Sequence, residues 1–143
     1  YSSAASDVYK RQERNIAEMT GILDNMDDQD LQDLAAYFNS KDMVVGQADP
    51  DLVDQGAALY RGGNMATGVP ACAGCHSPQG VGNEPAGYPA LGGQNAEYLV
   101  KQLQAYRDGE RDSGVNASIM MDVASKLTDA EIEAVSSYIS GLN

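Results

Sequence analysis

The sequence predicts an all-α fold, and two observations support this prediction. Apolar residues recur at helical spacing in several segments of the 143-residue chain, whereas no segment shows convincing strand alternation. The stretch at residues 62–93 is rich in glycine and proline, which disfavours long regular elements of either kind. We therefore expect helices on both sides of a long irregular loop.

Two helices are predicted before this loop. The first has Asp27 as its predicted N-cap, and its apolar residues share one face: Leu31, Leu34, Ala35 and Phe38. Residues 47–50 are predicted to be a linker, with Pro50 at the first position of the second helix, where its missing N–H costs nothing. This second helix is expected to run from about Asp51 to Tyr60 and to end at the glycine pair that follows.

Two more helices are predicted after the loop. The third spans about Ala96 to Asp108 and buries Leu99, Leu103 and Tyr106. The last begins at a capping box made by Thr128 and Glu131. Its apolar residues lie on one face: Ile132, Val135, Ile139 and Leu142.

Cys72, Cys75 and His76 form a Cys-x-x-Cys-His motif, and the chain has no other cysteine or histidine. This spacing is typical of c-type haem attachment, in which both thiols bond to the porphyrin and the histidine supplies one axial iron ligand. A dithiol or disulfide pair is one alternative, and a thioredoxin-like motif would need strands alternating with helices. A zinc site would need carboxylates to complete its ligands. A haem would also give the loop at residues 62–93 a core to fold around.

A repeat of 101 residues relates the two ends of the chain, because residues 16–38 align with residues 117–139. Such a period matches a small domain rather than a solenoid repeat. We therefore predict that residues 13–46 are the C-terminal remnant of a first domain and that residues 51–143 are a complete second domain. The weaker interpretation is that two helices merely share an amphipathic pattern.

Residues 1–12 are interpreted as a non-native segment. The run from Ser2 to Gln12 matches the translation of a transposase-type sequencing adapter, so we exclude it from the fold. A natural flexible terminus is the alternative. On the adapter interpretation we expect a gene truncated upstream, and the repeat then places a second Cys-x-x-Cys-His before residue 1. The full-length protein is therefore expected to carry two haems.

The charge of the chain excludes some partners. It has 9 basic and 21 acidic residues, for a formal net charge of -12. This balance argues against binding to nucleic acid or to an anionic membrane surface and favours a basic docking partner. The sequence contains no apolar run long enough for a transmembrane segment.

The predicted sixth ligand of the iron is Met120. A His/Met pair raises the reduction potential and suits electron transfer. Met65 and Met121 are the other candidates in this domain, but Met120 alone aligns in the repeat with another methionine, Met19. We expect Met120 in a loop before the last helix. The alternative is that it is an ordinary core residue.

The motifs together resemble the cytochrome c4 family of dihaem class I cytochromes. The resemblance rests on the Cys-x-x-Cys-His motif, on the run from Tyr88 to Gln94, on the run from Tyr98 to Arg107 and on the late methionine. It implies a class I cytochrome c fold and a bacterial periplasmic electron carrier. It also implies a donor such as a quinol-oxidising complex, an acceptor such as a terminal oxidase, and possible peripheral association with a membrane through such partners.

The resemblance assigns roles to further residues. Pro89 and Leu91 match a Pro-x-Leu pattern in which the proline carbonyl accepts the Nδ1 proton of the haem histidine and the leucine packs on the ring. Pro89 as an ordinary turn residue is the alternative. Gly56 and Tyr60 resemble a small and aromatic pair at which the first helix of the domain crosses the last, near Val135 and Tyr138.

Two other functions compete with a free electron carrier. A haem enzyme or gas sensor would need an open iron position, which a labile Met120 would provide. A cytochrome subunit or fused domain would relay electrons inside a haem-dependent oxidoreductase.

Overall fold

A computed structural model describes residues 16–42 and 44–143, and the predicted non-native segment at residues 1–12 lies outside these ranges. The chain divides into two compact units, one up to Met43 and one from Val44 onward. The predicted domain boundaries at residues 46 and 50 stay predictions.

The first unit contains one α-helix in its described part, α1 at Asp28–Asn39, preceded by a 3-10 turn at Ala17–Met19. Asp27 caps α1 as predicted, because its carboxylate accepts the Asp30 N–H while the Asp30 carboxylate accepts the Asp27 N–H. The predicted apolar face is only partly buried. Leu31 is buried, whereas Leu34 and Phe38 are exposed.

The second unit contains five α-helices. They are α2 at Val53–Gly62, α3 at Ala73–His76, α4 at Ala96–Asp108, α5 at Ala117–Ser125 and α6 at Asp129–Ser140. A 3-10 turn lies at Glu84–Ala86. Two isolated bridges, Asn64 with Val69 and Asn83 with Tyr88, are the only β-type pairs in the described ranges. The all-α prediction is therefore confirmed.

Helices α2 and α6 cross at Gly56, as the family resemblance implies. A Cβ atom at Gly56 would lie 2.6 Å from Cβ of Tyr138 and would also overlap the carbonyl oxygen of Ala134. Only a residue without a side chain allows this approach. One turn later, the rings of Tyr60 and Tyr138 pack with their centroids 5.4 Å apart.

The core of the second unit is built around this crossing. Its buried members are Leu59, Tyr60, Val69, Leu99, Leu127, Ile132, Val135, Tyr138 and Ile139. Helix α4 packs against both α5 and α6 and contributes Leu99. Its bounds agree with the prediction, although Leu103 and Tyr106 are half-buried rather than buried.

The start of α2 differs from the prediction. Pro50 lies in a turn before the helix, because the Asp49 carbonyl accepts the N–H of Leu52 and the Asp49 side chain accepts that of Asp51. The helix then begins at Val53 instead of at the proline.

Helix α6 begins at the predicted capping box. Thr128 accepts the Glu131 N–H, and Glu131 accepts the Thr128 N–H in return. Helix α1 has the same arrangement at Asp27 and Asp30, and the bounds of the two helices differ by the 101 residues of the sequence repeat.

Lowering the pH is expected to weaken this cap. The Thr128 N–H and the Asn64 side chain donate to Glu131 and lower its pKa below the ordinary value of 4.5. A lowered pKa adds stability that is present above pH 4.5 and is lost as the pH falls through the pKa of the folded state. Thermal melts between pH 6 and pH 3 should therefore show a smaller pH dependence in Glu131→Gln than in the parent. Equal slopes in the two proteins would contradict this prediction.

None of the helices described by the structure has the length and apolar character needed to cross a membrane.

Candidate haem-binding site

The Cys-x-x-Cys-His motif folds into one short helical turn. The Cys72 carbonyl accepts the N–H of Cys75 at 3.2 Å and the N–H of His76 at 3.0 Å. Side chains three apart on a helix lie on one face, so the turn presents both thiols on the same side. The two cysteines form no disulfide: Cys72 is half-buried against the core, and Cys75 is exposed. Burial raises the pKa of the Cys72 thiol to about 11.

His76 is held by a hydrogen bond to the main chain. Its Nδ1 lies 2.8 Å from the carbonyl oxygen of Pro89, and its side chain is buried, with 6% of the residue exposed. A carbonyl oxygen only accepts, so Nδ1 carries the proton and donates. Burial lowers the pKa of His76, while the hydrogen bond to Pro89 acts in the opposite direction. The neutral ring therefore keeps the lone pair of Nε2 for a metal.

Main-chain contacts fix the position of the Pro89 carbonyl. The Gly82 N–H donates to the His76 carbonyl at 2.9 Å, and Asn83 pairs with Tyr88 in a short antiparallel bridge. A Cβ atom at Gly82 would lie 2.6 Å from the carbonyl carbon of Pro89. The two sides of this loop thus lie in direct backbone contact beside the histidine.

Leu91 lies at the end of the same loop. Its N–H donates to the Gly80 carbonyl at 2.7 Å, and its half-buried side chain packs against the core. Cys72 packs against the same core, so the structure brings Leu91 and the start of the motif to one cluster. The roles predicted for Pro89 and Leu91 toward a haem stay predictions.

Met120 does not lie in a loop, so that prediction is wrong. It lies within α5, and both Met120 and Met121 are half-buried. Asn116 makes no side-chain cap at the start of helix α5, and its amide nitrogen donates to the Ala86 carbonyl at 2.9 Å. Met65, the third candidate ligand, is 96% exposed. The assignment of Met120 as the axial ligand stays a prediction.

Sequence reasoning did not identify one contact beside the histidine. The hydroxyl of Tyr60 donates to the carbonyl of Ser77 at 2.7 Å, directly after His76. Burial, with smaller effects from Cys72 and Tyr138, raises the pKa of Tyr60 to about 12, so the hydroxyl stays protonated. The sequence predicted only the helix-crossing role of Tyr60, since no local pattern links residues this far apart.

The donor groups of this site fit a covalently attached haem. Two thiols on one face of a turn are available for thioether bonds, and the adjacent imidazole has its tautomer fixed with Nε2 as the basic nitrogen.

Comparisons with known proteins agree with this chemistry. The family model described as cytochrome c matches residues 53–143. The chain belongs to the cytochrome c family. This membership implies a covalently bound haem c, and the two cysteines fit its binding motif.

The chain is similar to several known proteins. It is 56% identical over 130 residues to a cytochrome c4 from Azotobacter vinelandii, covering 91% of this chain and 62% of that protein. The crystal structure of reduced recombinant cytochrome c4 from Pseudomonas stutzeri matches with a TM-score of 0.82 and 55% identity, covering 91% of this chain and 68% of that one. A thiosulfate dehydrogenase structure from Marichromatium purpuratum matches with a TM-score of 0.80 and 29% identity, over 98% of this chain and 30% of that one. The predicted resemblance to cytochrome c4 and the class I fold are confirmed.

Proposed function

We propose that this protein is a periplasmic electron carrier, not an enzyme, that moves single electrons through a His/Met-ligated haem c. The observation that carries the proposal is the hydrogen bond between His76 and Pro89 beside the two thiols. It fixes the orientation of the imidazole, and an electron carrier benefits from ligands that do not reorganise.

Each residue of the site has a distinct task in this proposal. Cys72 and Cys75 tether the porphyrin, and His76 presents Nε2 to the iron. The Pro89 carbonyl accepts a hydrogen bond from Nδ1 of His76 and so raises the basicity of the ring. Leu91 packs against the porphyrin, and the Met120 thioether completes the iron shell. When bound, haem c supplies an iron that alternates between the ferric and ferrous states and so carries one electron.

In this proposal Met120 closes the ligand shell of the iron, which suits a carrier rather than a haem enzyme. A catalytic or sensing haem needs an open iron position, and a stable Met120 ligand would leave none. The thioether also favours ferrous over ferric iron, which raises the reduction potential.

The proposed partners are other redox proteins, with a quinol-oxidising complex as donor and a terminal oxidase as acceptor. The formal net charge of -12 supports docking to a basic surface, because opposite charges steer such encounters. The periplasmic location follows from the attachment of haem c outside the cytoplasm.

We further propose that residues 13–46 are the last part of a first cytochrome domain. The equal bounds and caps of α1 and α6 at the repeat offset support this, and the chain spans only 62% of the length of the Azotobacter relative. Met19 would then be an axial ligand of a first haem, as Met120 is of the second.

A cytochrome subunit or fused domain of an oxidoreductase is the second candidate. The match to one part of a thiosulfate dehydrogenase structure favours it. The sequence of the parent gene separates the two candidates, because a second Cys-x-x-Cys-His upstream supports the carrier and an enzyme domain there supports the fused form.

Carbon monoxide binding tests the carrier proposal. Carbon monoxide binds ferrous haem only where an axial position is open. The reduced holoprotein should therefore not bind carbon monoxide at neutral pH. Rapid and stoichiometric binding, seen in the visible spectrum, would contradict the proposal.

Replacing Met120 with alanine should open the iron. We expect Met120→Ala to bind carbon monoxide stoichiometrically when reduced and to have a lower reduction potential, because thioether ligation is lost. Met121→Ala is the matched control, since Met121 is the next residue of α5 and is equally half-buried. If Met121→Ala opens the iron and Met120→Ala does not, the ligand is Met121.

A further inference from the structure

Ser77 has an unusual backbone conformation. Its φ is 71° and its ψ is 158°, and it is the one non-glycine residue with a positive φ in the described ranges. This region is populated almost entirely by glycine, because a Cβ atom meets the neighbouring backbone there. A serine stays in it only when surrounding contacts hold it.

Three hydrogen bonds hold Ser77. Its carbonyl accepts the Tyr60 hydroxyl at 2.7 Å and the Gly80 N–H at 3.1 Å. Its own hydroxyl accepts the Val81 N–H at 3.0 Å. Two of these contacts come from the loop itself, whereas Tyr60 is fully buried in α2 and in the helix crossing. Tyr60 therefore connects the conformation of Ser77 to the buried core of the unit.

Ser77 sets the direction in which the chain leaves His76. The chain then continues to Gly82. The N–H of Gly82 donates to the His76 carbonyl, and its backbone packs against that of Pro89. The loop that carries the Pro89 carbonyl thus begins at Ser77, the strained residue. A change in the backbone conformation of Ser77 would alter the distance between Nδ1 of His76 and the Pro89 carbonyl.

We propose that Tyr60 is a positioning residue for His76. Its hydroxyl keeps Ser77 in the strained conformation and so preserves the hydrogen bond from His76 to Pro89, which tunes the reduction potential of the bound iron. This inference rests on the proposed function, because it requires His76 as an axial ligand.

The direction of the effect follows from ligand basicity. A strong hydrogen bond from Nδ1 makes the imidazole a better donor to the metal. A better donor stabilises ferric iron more than ferrous iron, so a weaker hydrogen bond raises the reduction potential. Removal of the Tyr60 hydroxyl should therefore raise it.

The test compares two tyrosines that lie side by side. In the holoprotein, Tyr60→Phe should shift the reduction equilibrium by at least about twofold, which is about 18 mV upward at 59 mV per tenfold for one electron. It should also raise the unfolding equilibrium constant by about fivefold, as expected for the loss of one buried hydrogen bond. Tyr138→Phe is the control, because the buried Tyr138 hydroxyl has no hydrogen-bond partner among the described residues. It should leave the potential unchanged.

Ser77→Gly tests whether Tyr60 acts by holding the conformation of Ser77 or only by packing in the core. Glycine adopts the required conformation without strain, so the loop should keep its course without help from Tyr60. In the Ser77→Gly background, the added Tyr60→Phe change should therefore shift the potential by less than half of its effect in the parent. If Tyr60→Phe alone does not incorporate haem, incorporation by the double variant supports the inference in the same way.

Three results would overturn the inference: an unshifted potential in Tyr60→Phe, an equal shift in Tyr138→Phe, or a full shift in the Ser77→Gly background. Failure of both Tyr60→Phe and the double variant to incorporate haem would also overturn it, since Tyr60 would then be needed for folding. A parent protein without a six-coordinate haem spectrum would instead contradict the proposed function.

Discussion

Replacing His76 with alanine is expected to prevent the second unit from reaching its folded, haem-bound state. The change removes an axial ligand and the hydrogen bond that joins α3 to the Pro89 carbonyl. It also leaves a cavity where a buried side chain lies beside the irregular loop. We expect a loss above about 4 kcal/mol in the free energy of unfolding, which is at the exceptional end for one substitution. Far-ultraviolet circular dichroism and the visible haem spectrum measure it.

Two controls show whether the imidazole itself is responsible. Added imidazole should restore part of the six-coordinate spectrum to His76→Ala, because it supplies the missing nitrogen. Pro89→Ala should stay folded, since alanine keeps the carbonyl that accepts from His76. An unchanged haem spectrum and melting temperature in His76→Ala would contradict the assignment of His76.

Replacing Gly56 with alanine is expected to have the second largest effect. The new methyl group would meet the Cβ atom of Tyr138 and the backbone oxygen of Ala134, and neither can rotate away. Overpacking of this kind costs typically about 1–3 kcal/mol, and the rigid backbone contact places the cost at the upper end. The gain of about 1 kcal/mol in helix propensity offsets only part of it. Denaturant unfolding of the holoprotein measures the difference.

Gly62→Ala is the matched control for this substitution. Gly62 is in the same helix, but a Cβ atom there has nothing within 4 Å. Alanine should therefore leave stability unchanged or raise it slightly through helix propensity. Similar losses in both variants would show that the crossing with α6 is not the cause.

The helices could be predicted where their signals are local. The bounds of α4 and the caps of α1 and α6 follow from residues within one or two turns of each other. Helix α5 has no such local signal, because its N-cap residue Asn116 makes no side-chain cap and contacts the carbonyl of Ala86, which is 30 residues away. The predicted start of α2 at Pro50 is wrong because Asp49 first forms a turn that includes Pro50.

The candidate site also has features that local sequence predicts and features that it does not. The Cys-x-x-Cys-His motif lies within five consecutive residues, so its spacing alone indicates its chemistry. The contact between Tyr60 and Ser77 joins residues 17 apart, and a serine gives no sign that its backbone will adopt a conformation typical of glycine. Such features depend on the completed fold and are visible only in the structure.

The acceptor for the His76 proton belongs to the main chain, and this limits what mutational scanning can detect. Truncating the side chain at position 89 leaves the oxygen in place, so an alanine scan would score this residue as tolerant. The sensitive position is Gly82, where any side chain would push against the backbone of Pro89. Substitution of Gly82, by alanine or any larger residue, would therefore reveal an influence on histidine basicity that substitution of Pro89 misses.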